Sequence, residues 1–300
     1  MKAVRYEKFG GPEVLVLEEV PTPQPGAGQV LVKVVAAGVN PADWKMRSGM
    51  FGQLPLPITP GLEGSGVVEA VGEGVTEFKP GDEVYGILAG SYAEYALAGV
   101  GDIQPKPERL SFEEAATVAV GALTAWAAVE VAALEAGQQV LVHGAAGGVG
   151  LYAVQLARLK GARVIGTASA ANLDTVRSLG AETVLDYKAA PFETQVSGLD
   201  AVIDTVGGDL AERSFKVLRT GGVFVTVAGR LASDAGQAEG VRAIGTGRAA
   251  TLNLTQISAL LKSGELIPMV GRVFSLAEVR HAHELSATGH GRGRILLNIQ

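Results

Sequence analysis

Through residue 110 the chain alternates short β-branched apolar runs with glycine and proline. VLVLEEV (14–20), QVLVKVVAAG (29–38), GSGVVEAVG (64–72), DEVYGIL (82–88) and SYAEYALAG (91–99) predict strands of an antiparallel sheet or barrel. PTPQPGAG (21–28) reads as a stiff connector between the first two. The period changes at Ser111, which makes a capping box with Glu114; helical spacing then continues over 115–129. From there strands and helices alternate: QVLVHG (139–144), helix 148–160, ARVIGT (162–167), helix 172–179, ETVLDY (182–187), a short helix near 192–197, LDAVIDTVG (199–207), helix 209–218, GGVFVTVAG (221–229) and VRAIGT (241–246). Six strands joined by helices predict an α/β fold with a doubly wound parallel sheet. A helix around 254–264, IPMVGRVFSL, helix 276–287 and GRILLNI then read as a return to the first domain.

Composition narrows the chemistry. The 41 glycines are spread along the chain, which marks a turn-dense fold and not a low-complexity one. There is no cysteine, so disulfides, thiol nucleophiles, iron–sulfur clusters and cysteine zinc sites are excluded, and redox chemistry has to come from a cofactor. With 31 acidic against 25 basic residues and no Lys/Arg cluster, nucleic acid is not an expected partner. The nearly apolar stretch 115–129 is too short, and too interrupted by Thr117, Gly121 and Thr124, to cross a membrane. MKAVRYEKFG lacks the apolar block of a signal peptide, so a cytoplasmic location is expected.

After QVLVHG the sequence runs Gly144-Ala145-Ala146-Gly147-Gly148-Val149-Gly150 and enters LYAVQLARLKG, an amphipathic helix. Against G-x-G-x-x-G, the three positions are filled by Ala145, Gly147 and Gly150. Gly147 and Gly148 admit a pyrophosphate close to the backbone, the helix start supplies free N–H groups, and Gly150 lets the helix pack on the strand. An NAD enzyme carries Asp or Glu about 20 residues further on, at the end of the second strand, to hold the ribose 2′-OH. Here that stretch is Gly166-Thr167-Ala168-Ser169-Ala170-Ala171-Asn172, with no acid before Asp174. Missing negative charge admits a 2′-phosphate, with Ser169 and Asn172 as donors and Tyr187 flanking it. The expected cofactor is NADPH, although no cation stands out, and Ser169 and Asn172 also suit an ordinary turn and helix cap.

The residues assembled so far resemble the zinc-free quinone oxidoreductases of the medium-chain dehydrogenase/reductase superfamily, the group containing zeta-crystallin. The matching pieces are AAGVNPADWKMRSG (36–49), PGLEGSGVVEAVGEGV (60–75), FKPGDEVYG (78–86), SFEEAATVAVGALTAW (111–126), HGAAGGVGLYAVQLAR (143–158), SLGAETVLDY (178–187), DAVIDTVGG (200–208) and GRGRILL (291–297). The resemblance implies a GroES-like catalytic domain over 1–118 and 265–300 around a Rossmann domain over 119–264. Zinc-dependent relatives carry His at the place of Leu62 and Cys near Asn40, so zinc catalysis is not expected, and His143, His281, His283 and His290 are assigned packing or surface roles.

The same resemblance places Asn40 beside the nicotinamide as a donor to a substrate carbonyl or an orienting group, with Asp43 shaping the pocket floor. Lys45 stands where several relatives have a pocket tyrosine, as a donor to developing negative charge or a solvated lysine, and Met50 and Phe51 lie near a second such place. Thr124 is implied at the nicotinamide end, Ala228 and Gly229 under the carboxamide, and Val206 and Gly207 near the adenosine half. Strand C-terminal ends are where a doubly wound sheet binds ligands, which independently favours the last four. The implied activity is hydride transfer from NADPH to a small, flat, apolar conjugated substrate, a quinone or an α,β-unsaturated carbonyl. The rival is a non-catalytic NADPH-binding protein, crystallin-like or RNA-binding. VRAIGT, as an exposed sheet edge, fits the homodimer that the resemblance implies.

Overall fold

Two units share the chain: Met1–Val120, Thr251–Ser263 and Pro268–Gln300 form the first, Gly121–Ala250 and Gly264–Ile267 the second. The computed structural model describes residues 1–300 except Gln53, Arg248, Ala249, Ala250 and His290. His290, set aside above as a zinc ligand, therefore lies outside the described residues.

In the first unit β1 (Lys2–Arg5) and β2 (Val16–Glu19) form an antiparallel ribbon. The main sheet is built on β3 (Gln29–Val39), which is followed by helix α1 (Pro41–Arg47), β4 (Glu63–Val71), β5 (Glu83–Ile87), β6 (Tyr95–Gly99) and β7 (Ile103–Pro105). Val30, Val32, Val34, Val68, Val84 and Ile103 share one buried cluster, as expected where β-branched side chains stack on a pleated face. The β3–β4 register slips twice, between Leu31 and Val32 and between Val34 and Ala36. Gly66 sits between these slips, where a Cβ would overlap the carbonyl oxygen of Lys33, so the close approach of the two backbones requires glycine.

The capping box at Ser111 forms as the sequence predicts: Glu114 N donates to Ser111 Oγ at 3.1 Å, and Ser111 N to the Glu114 carboxylate at 2.9 Å. The helix does not run on through 115–129. It splits into α2 (Phe112–Ala116) and α3 (Ala119–Ala132). Thr117 Oγ1 turns back to the Glu114 carbonyl at 2.7 Å, and Val120 N donates to the Glu63 carboxylate at 2.7 Å.

The second unit is a Rossmann sheet. Its elements are β8 (Gln139–His143), α4 (Gly150–Leu159), β9 (Arg163–Ala168), α5 (Leu173–Ser178), β10 (Thr183–Asp186), β11 (Leu199–Asp204), α6 (Leu210–Phe215), β12 (Leu218–Thr226) and β13 (Arg242–Gly245). The spatial order is β10-β9-β8-β11-β12-β13, with all five pairings parallel. Strands buried on both faces read as continuous apolar runs, which is why Val140, Leu141, Val142, Ala201, Val202 and Ile203 announced them. The chain reverses its direction of travel across the sheet between β8 and β11, and the C-terminal ends there are the expected ligand crevice.

The chain then returns through α7 (Leu254–Ser263), β14 (Val270–Ser275), α8 (Val279–Ala287) and β15 (Arg294–Asn298). Strand β15 pairs with β3, completing a seven-stranded sheet in the first unit. Helix α7, which the pattern along the chain reads as a return to the first domain and the bounds 119–264 leave in the Rossmann segment, groups with the first unit. Gln104 Nε2 donates to Thr255 Oγ1 at 3.3 Å and Arg109 Nη1 to the Leu261 carbonyl at 3.0 Å. Other boundaries shift in small ways: Pro12–Val14 is a 3₁₀ turn ahead of β2, the predicted strand 91–99 is ordered as strand only over Tyr95–Gly99, and the predicted helix near 192–197 is a single 3₁₀ turn, Phe192–Thr194. The short strands β1 and β7 are additions.

Gly66→Ala should destabilise the protein by about 1–3 kcal/mol or more, the usual range for forced overpacking. Gly101→Ala, where a Cβ meets nothing within 4 Å, should leave the urea midpoint unchanged. Equal midpoints for the two variants would contradict the close approach of β3 and β4.

Candidate active site

The glycine-rich loop takes its shape from one carbonyl. Gly144 adopts φ +66°, a left-handed conformation that favours glycine, and its carbonyl accepts Gly147 N at 2.8 Å. A Cβ on Gly150 would collide with that same carbonyl oxygen, so the first turn of α4 fits over the loop only with glycine there. The side chains of Ala145 and Ala146 are buried, which leaves their backbone as the part able to face a ligand. Val149, the N-cap of α4, offers no side-chain cap, and the first turn carries no acid. The positive end of the helix is thus open to an anion. Helix α3 runs against this loop: at Gly121, one turn before the half-buried Thr124, a Cβ would stand 2.7 Å from the Gly148 carbonyl oxygen.

Hydroxyl groups stitch the strand ends together around the loop. Thr205 Oγ1 donates to the His143 carbonyl at 2.7 Å, and Thr167 Oγ1 accepts Gly144 N at 3.2 Å while lying 3.3 Å from His143 Nδ1. His143 Nε2 lies 3.0 Å from Ser214 Oγ. Burial pushes the His143 imidazole down to about 4, against an opposing pull from Asp204, so the ring is neutral at pH 7. Asp204 Oδ1 accepts the amides of Val206 and Gly207, each at 2.9 Å, and its Oδ2 accepts Thr226 Oγ1 at 3.0 Å. Thr226 Oγ1 in turn accepts Ala228 N at 3.1 Å. The turns after β11 and β12, which carry Val206, Gly207, Ala228 and Gly229, are therefore tied to each other by one buried carboxylate.

At the other side of the switch point Ser169 and Asn172 form a turn: Asn172 N donates to the Ser169 carbonyl at 2.8 Å and Asn172 Nδ2 to Ser169 Oγ at 3.1 Å. Tyr187 N donates to the Ala168 carbonyl at 3.3 Å, which sets Tyr187 beside this turn with its side chain 48% exposed. The C-terminal edge of the parallel sheet thus gathers Ala145, Ala146, Gly147, Gly148, Val149, Gly150, Ser169, Asn172, Tyr187, Val206, Gly207, Ala228 and Gly229.

In the first unit the structure brings Asn40 and Asp43 together and adds partners the sequence reading did not name. Asn40 caps α1 and is buried; its Nδ2 donates to Glu63 Oε1 at 2.8 Å and its Oδ1 accepts Arg294 Nη2 at 2.6 Å. Arg294 also contacts Glu63 directly, and both side chains are almost fully removed from solvent. Asp43 Oδ2 accepts Asn40 N at 2.7 Å and the Tyr92 hydroxyl at 3.0 Å. Burial pushes the Asp43 carboxyl up to about 7, opposed by those two hydrogen bonds, and drives the Tyr92 hydroxyl up as well. His283 is buried edge-on against Tyr92, with Nδ1 3.2 Å from Arg47 Nη1, whereas His281 is exposed. Desolvation and Arg47 push the His283 ring down to about 3.

Lys45 is outside this network: its ammonium lies 5.5 Å from the ring of Trp44. Met50 and Phe51 are 64% and 58% exposed. Glu63 and Arg294 are the charged residues that open β4 and β15, which is the one signal the sequence carries for them. Among the described residues no group of three or more His, Cys, Asp or Glu side chains is placed to hold a metal ion.

Residues 26–108 match the alcohol dehydrogenase GroES-like domain family and residues 179–297 the zinc-binding dehydrogenase family. The quinone oxidoreductase of Sus scrofa is 36% identical over 306 residues, 95% of this chain and 93% of that one. The 2-methylene-furan-3-one reductase of Solanum lycopersicum is 35% identical over 315 residues, 99% of this chain and 79% of that one. Among solved structures, the quinone oxidoreductase from Coxiella burnetii is 36% identical with a TM-score of 0.90, over all of this chain and 99% of that one. An NAD-dependent alcohol dehydrogenase is 34% identical with a TM-score of 0.93, over all of both chains. A mycobacterial protein solved in complex with NADPH is 30% identical with a TM-score of 0.90, also over all of both chains. With identity above 30% over nearly its whole length, the chain belongs to the quinone oxidoreductase family of the medium-chain dehydrogenase/reductase superfamily.

Proposed function

We propose that the protein is a zinc-independent, NADPH-dependent reductase of quinones or α,β-unsaturated carbonyls. The observation that carries the cofactor choice is the turn after β9: where an NAD enzyme holds the ribose with a carboxylate, Ser169, Asn172 and Tyr187 offer hydroxyl and amide groups and no acid. The mycobacterial NADPH complex supports the same choice, although the names of the similar proteins include an NAD-dependent enzyme. Relatives acting on quinones and on a methylene-furanone, itself an enone, support a conjugated acceptor.

The residues suit this cofactor at the sheet edge. The uncapped start of α4 would meet the pyrophosphate charge, and the Asp204–Thr226 tie holds in place Val206, Gly207 and Ala228, the residues that would contact the cofactor. NADPH, when bound, supplies the hydride. Asn40 keeps one Nδ2 hydrogen beyond its bond to Glu63 and is the proposed donor to a substrate carbonyl, with Asp43 buttressing its backbone; Lys45 supplies positive charge nearby on α1. A conjugated acceptor needs little acid catalysis, because its developing charge is delocalised and a proton can follow from solvent.

Zinc does not fit the donor set. By the resemblance, Leu62 occupies the place of a zinc-binding His and the zinc-binding Cys of such relatives lies near Asn40, where this chain has no cysteine; both Glu63 oxygens are taken by Asn40, Arg294 and Val120 N. A homodimer through the free edge of β13 and a cytoplasmic location complete the reading; among the described residues no helix is long and apolar enough to cross a membrane.

Initial rates at 340 nm with NADPH and NADH, against a benzoquinone, a naphthoquinone, an alkenal and a cyclic enone, should show turnover with NADPH favoured at least about tenfold in kcat/KM. NADPH binding without turnover of any acceptor would sink the reductase assignment, and NADH preference would sink the cofactor assignment. Added zinc or a chelator should leave the rate unchanged.

Asp43 gives a signed pH dependence. Its folded value of about 7 lies above the unfolded carboxyl, so its contribution to stability is full below about pH 4 and lost as pH rises towards 7. His143 and His283, at about 4 and 3, act the other way: their contribution is full above about pH 6.5 and lost as pH falls through 4 and 3. Asp43→Asn removes the first effect and keeps the second. Between pH 5 and 7, wild type should lose about 2 kcal/mol relative to this variant in urea melts; parallel curves would refute a proton held on Asp43.

A further inference from the structure

The acid-free turn after β9 offers neutral donors to a 2′-phosphate, but a dianion recognised in water needs a cation as well. The sequence reading found none. The structure brings one near it in the turn that follows the neighbouring strand β10. Strand β10 pairs with β9 so that Asp186 lies opposite Ala168, and the ladder continues through Tyr187 N to the Ala168 carbonyl at 3.3 Å. Residues 187 and 188 therefore leave the sheet alongside Ser169. Lys188 N donates to Asp186 Oδ1 at 2.9 Å, which fixes the backbone of that exit. The Lys188 ammonium sits 5.9 Å from the centre of the Tyr187 ring.

Asp186, whose carboxylate is turned to the Lys188 amide, is the acid nearest along the chain. Among the described residues, no carboxylate lies within ion-pair distance of the Lys188 ammonium. The nearest acid along α5, Asp174, is bonded to Arg177 at 2.7 Å, which also engages that arginine. Lys188 thus has no ion-pair partner among the described residues and is held against an exposed aromatic ring at the edge of a turn lined with hydroxyl and amide groups.

We propose that Lys188 is the residue that determines preference for NADPH over NADH, its ammonium answering the 2′-phosphate while Tyr187 holds the lysine stem in place. The inference rests on the NADPH assignment above. Because Lys188 meets the phosphate at an exposed edge, its effect is screened by salt. It acts on the phosphorylated ribose alone and leaves the rest of the dinucleotide untouched.

The test uses the full chain and two cofactor fragments, adenosine 2′,5′-bisphosphate and 5′-AMP, with calorimetric titration of wild type, Lys188→Gln and Lys188→Arg at low and high salt. Wild type should bind the bisphosphate more tightly than AMP. Lys188→Gln should weaken the bisphosphate about tenfold and leave AMP unchanged, Lys188→Arg should restore most of the loss, and the wild-type advantage should shrink with salt. In steady state the glutamine variant should raise KM for NADPH without lowering kcat. If wild type prefers the bisphosphate and Lys188→Gln keeps that preference, the role of Lys188 is refuted while the NADPH assignment stands. If wild type binds both fragments alike, the NADPH assignment itself falls and Lys188 with it. If Lys188→Gln weakens both fragments equally, Lys188 supports the fold and does not read the phosphate.

Discussion

A carboxylate with 0% of its surface exposed has to be answered where it is buried, and Glu63 is answered by parts of the chain that are far apart in sequence. Asn40 comes from the cap of α1, Val120 from the start of α3 and Arg294 from the first residue of β15. Two of these partners explain a feature of the first unit. The amide of Val120 turned to Glu63 accounts for the break between α2 and α3, and Arg294 draws β15, from the end of the chain, to the sheet beside β3. A buried pair of this kind is a weak source of net stability, because desolvation offsets most of the attraction. Removing one partner is what costs several kcal/mol, typically about 3–5. The pair therefore acts mainly as a specification: only a fold that brings residues 40, 63, 120 and 294 together leaves no charge stranded.

The second unit solves a different problem with hydroxyl groups and one buried carboxylate. Parallel strands end together at the C-terminal edge, where their last carbonyls and amides need partners that do not fill the crevice. Thr167, Thr205, Thr226 and Asp204 supply them from within the edge itself. Neutral His143, wedged between Thr167 and Ser214, keeps cationic charge out of the floor of the loop. What remains facing outward is backbone: the loop amides, the open first turn of α4 and the turns after β11 and β12. An edge already satisfied by its own hydroxyls can meet a dinucleotide without rearranging, and that lowers the entropic cost of binding.

The legibility of the chain follows the range of the interactions. The six parallel strands were legible because a strand buried on both faces must be apolar throughout, and Val140 to Val142 or Ala201 to Ile203 admit little else. The glycine loop was legible because Gly144 and Gly150 answer a local constraint, one carbonyl, six residues apart. The capping box at Ser111 was equally local. The break after Ala116 was not legible, since its cause, Glu63, lies 57 residues from Val120. Arg294 lies 231 residues from Glu63, so no periodicity relates them. Asn40 and Asp43 entered through resemblance alone; their spacing as cap and third helical residue encodes the α1 capping box, but nothing local tells that both are buried. Lys188 escaped notice because its relation to Ser169 runs across the β9–β10 ladder and not along the chain.

The disposition of these polar groups also bears on the chemistry. An isolated carbonyl must be polarised strongly before it accepts hydride, by a metal ion or a charged acid aimed at its oxygen. In the first unit the buried charged groups are turned to one another: Glu63 is neutralised by Arg294, and Asp43, pushed up by burial, accepts from Asn40 and Tyr92, while Lys45 lies outside this network. Asn40, the residue the resemblance sets at the reaction, retains one amide hydrogen, a neutral donor of moderate strength. Such a donor is insufficient for a saturated ketone and adequate for a quinone or enone, in which the incoming charge is shared over the conjugated system. With Asn40 placed as the resemblance implies, the match between a neutralised polar core and an acceptor that needs little help is the physical argument for the proposed preference for conjugated substrates over alcohols.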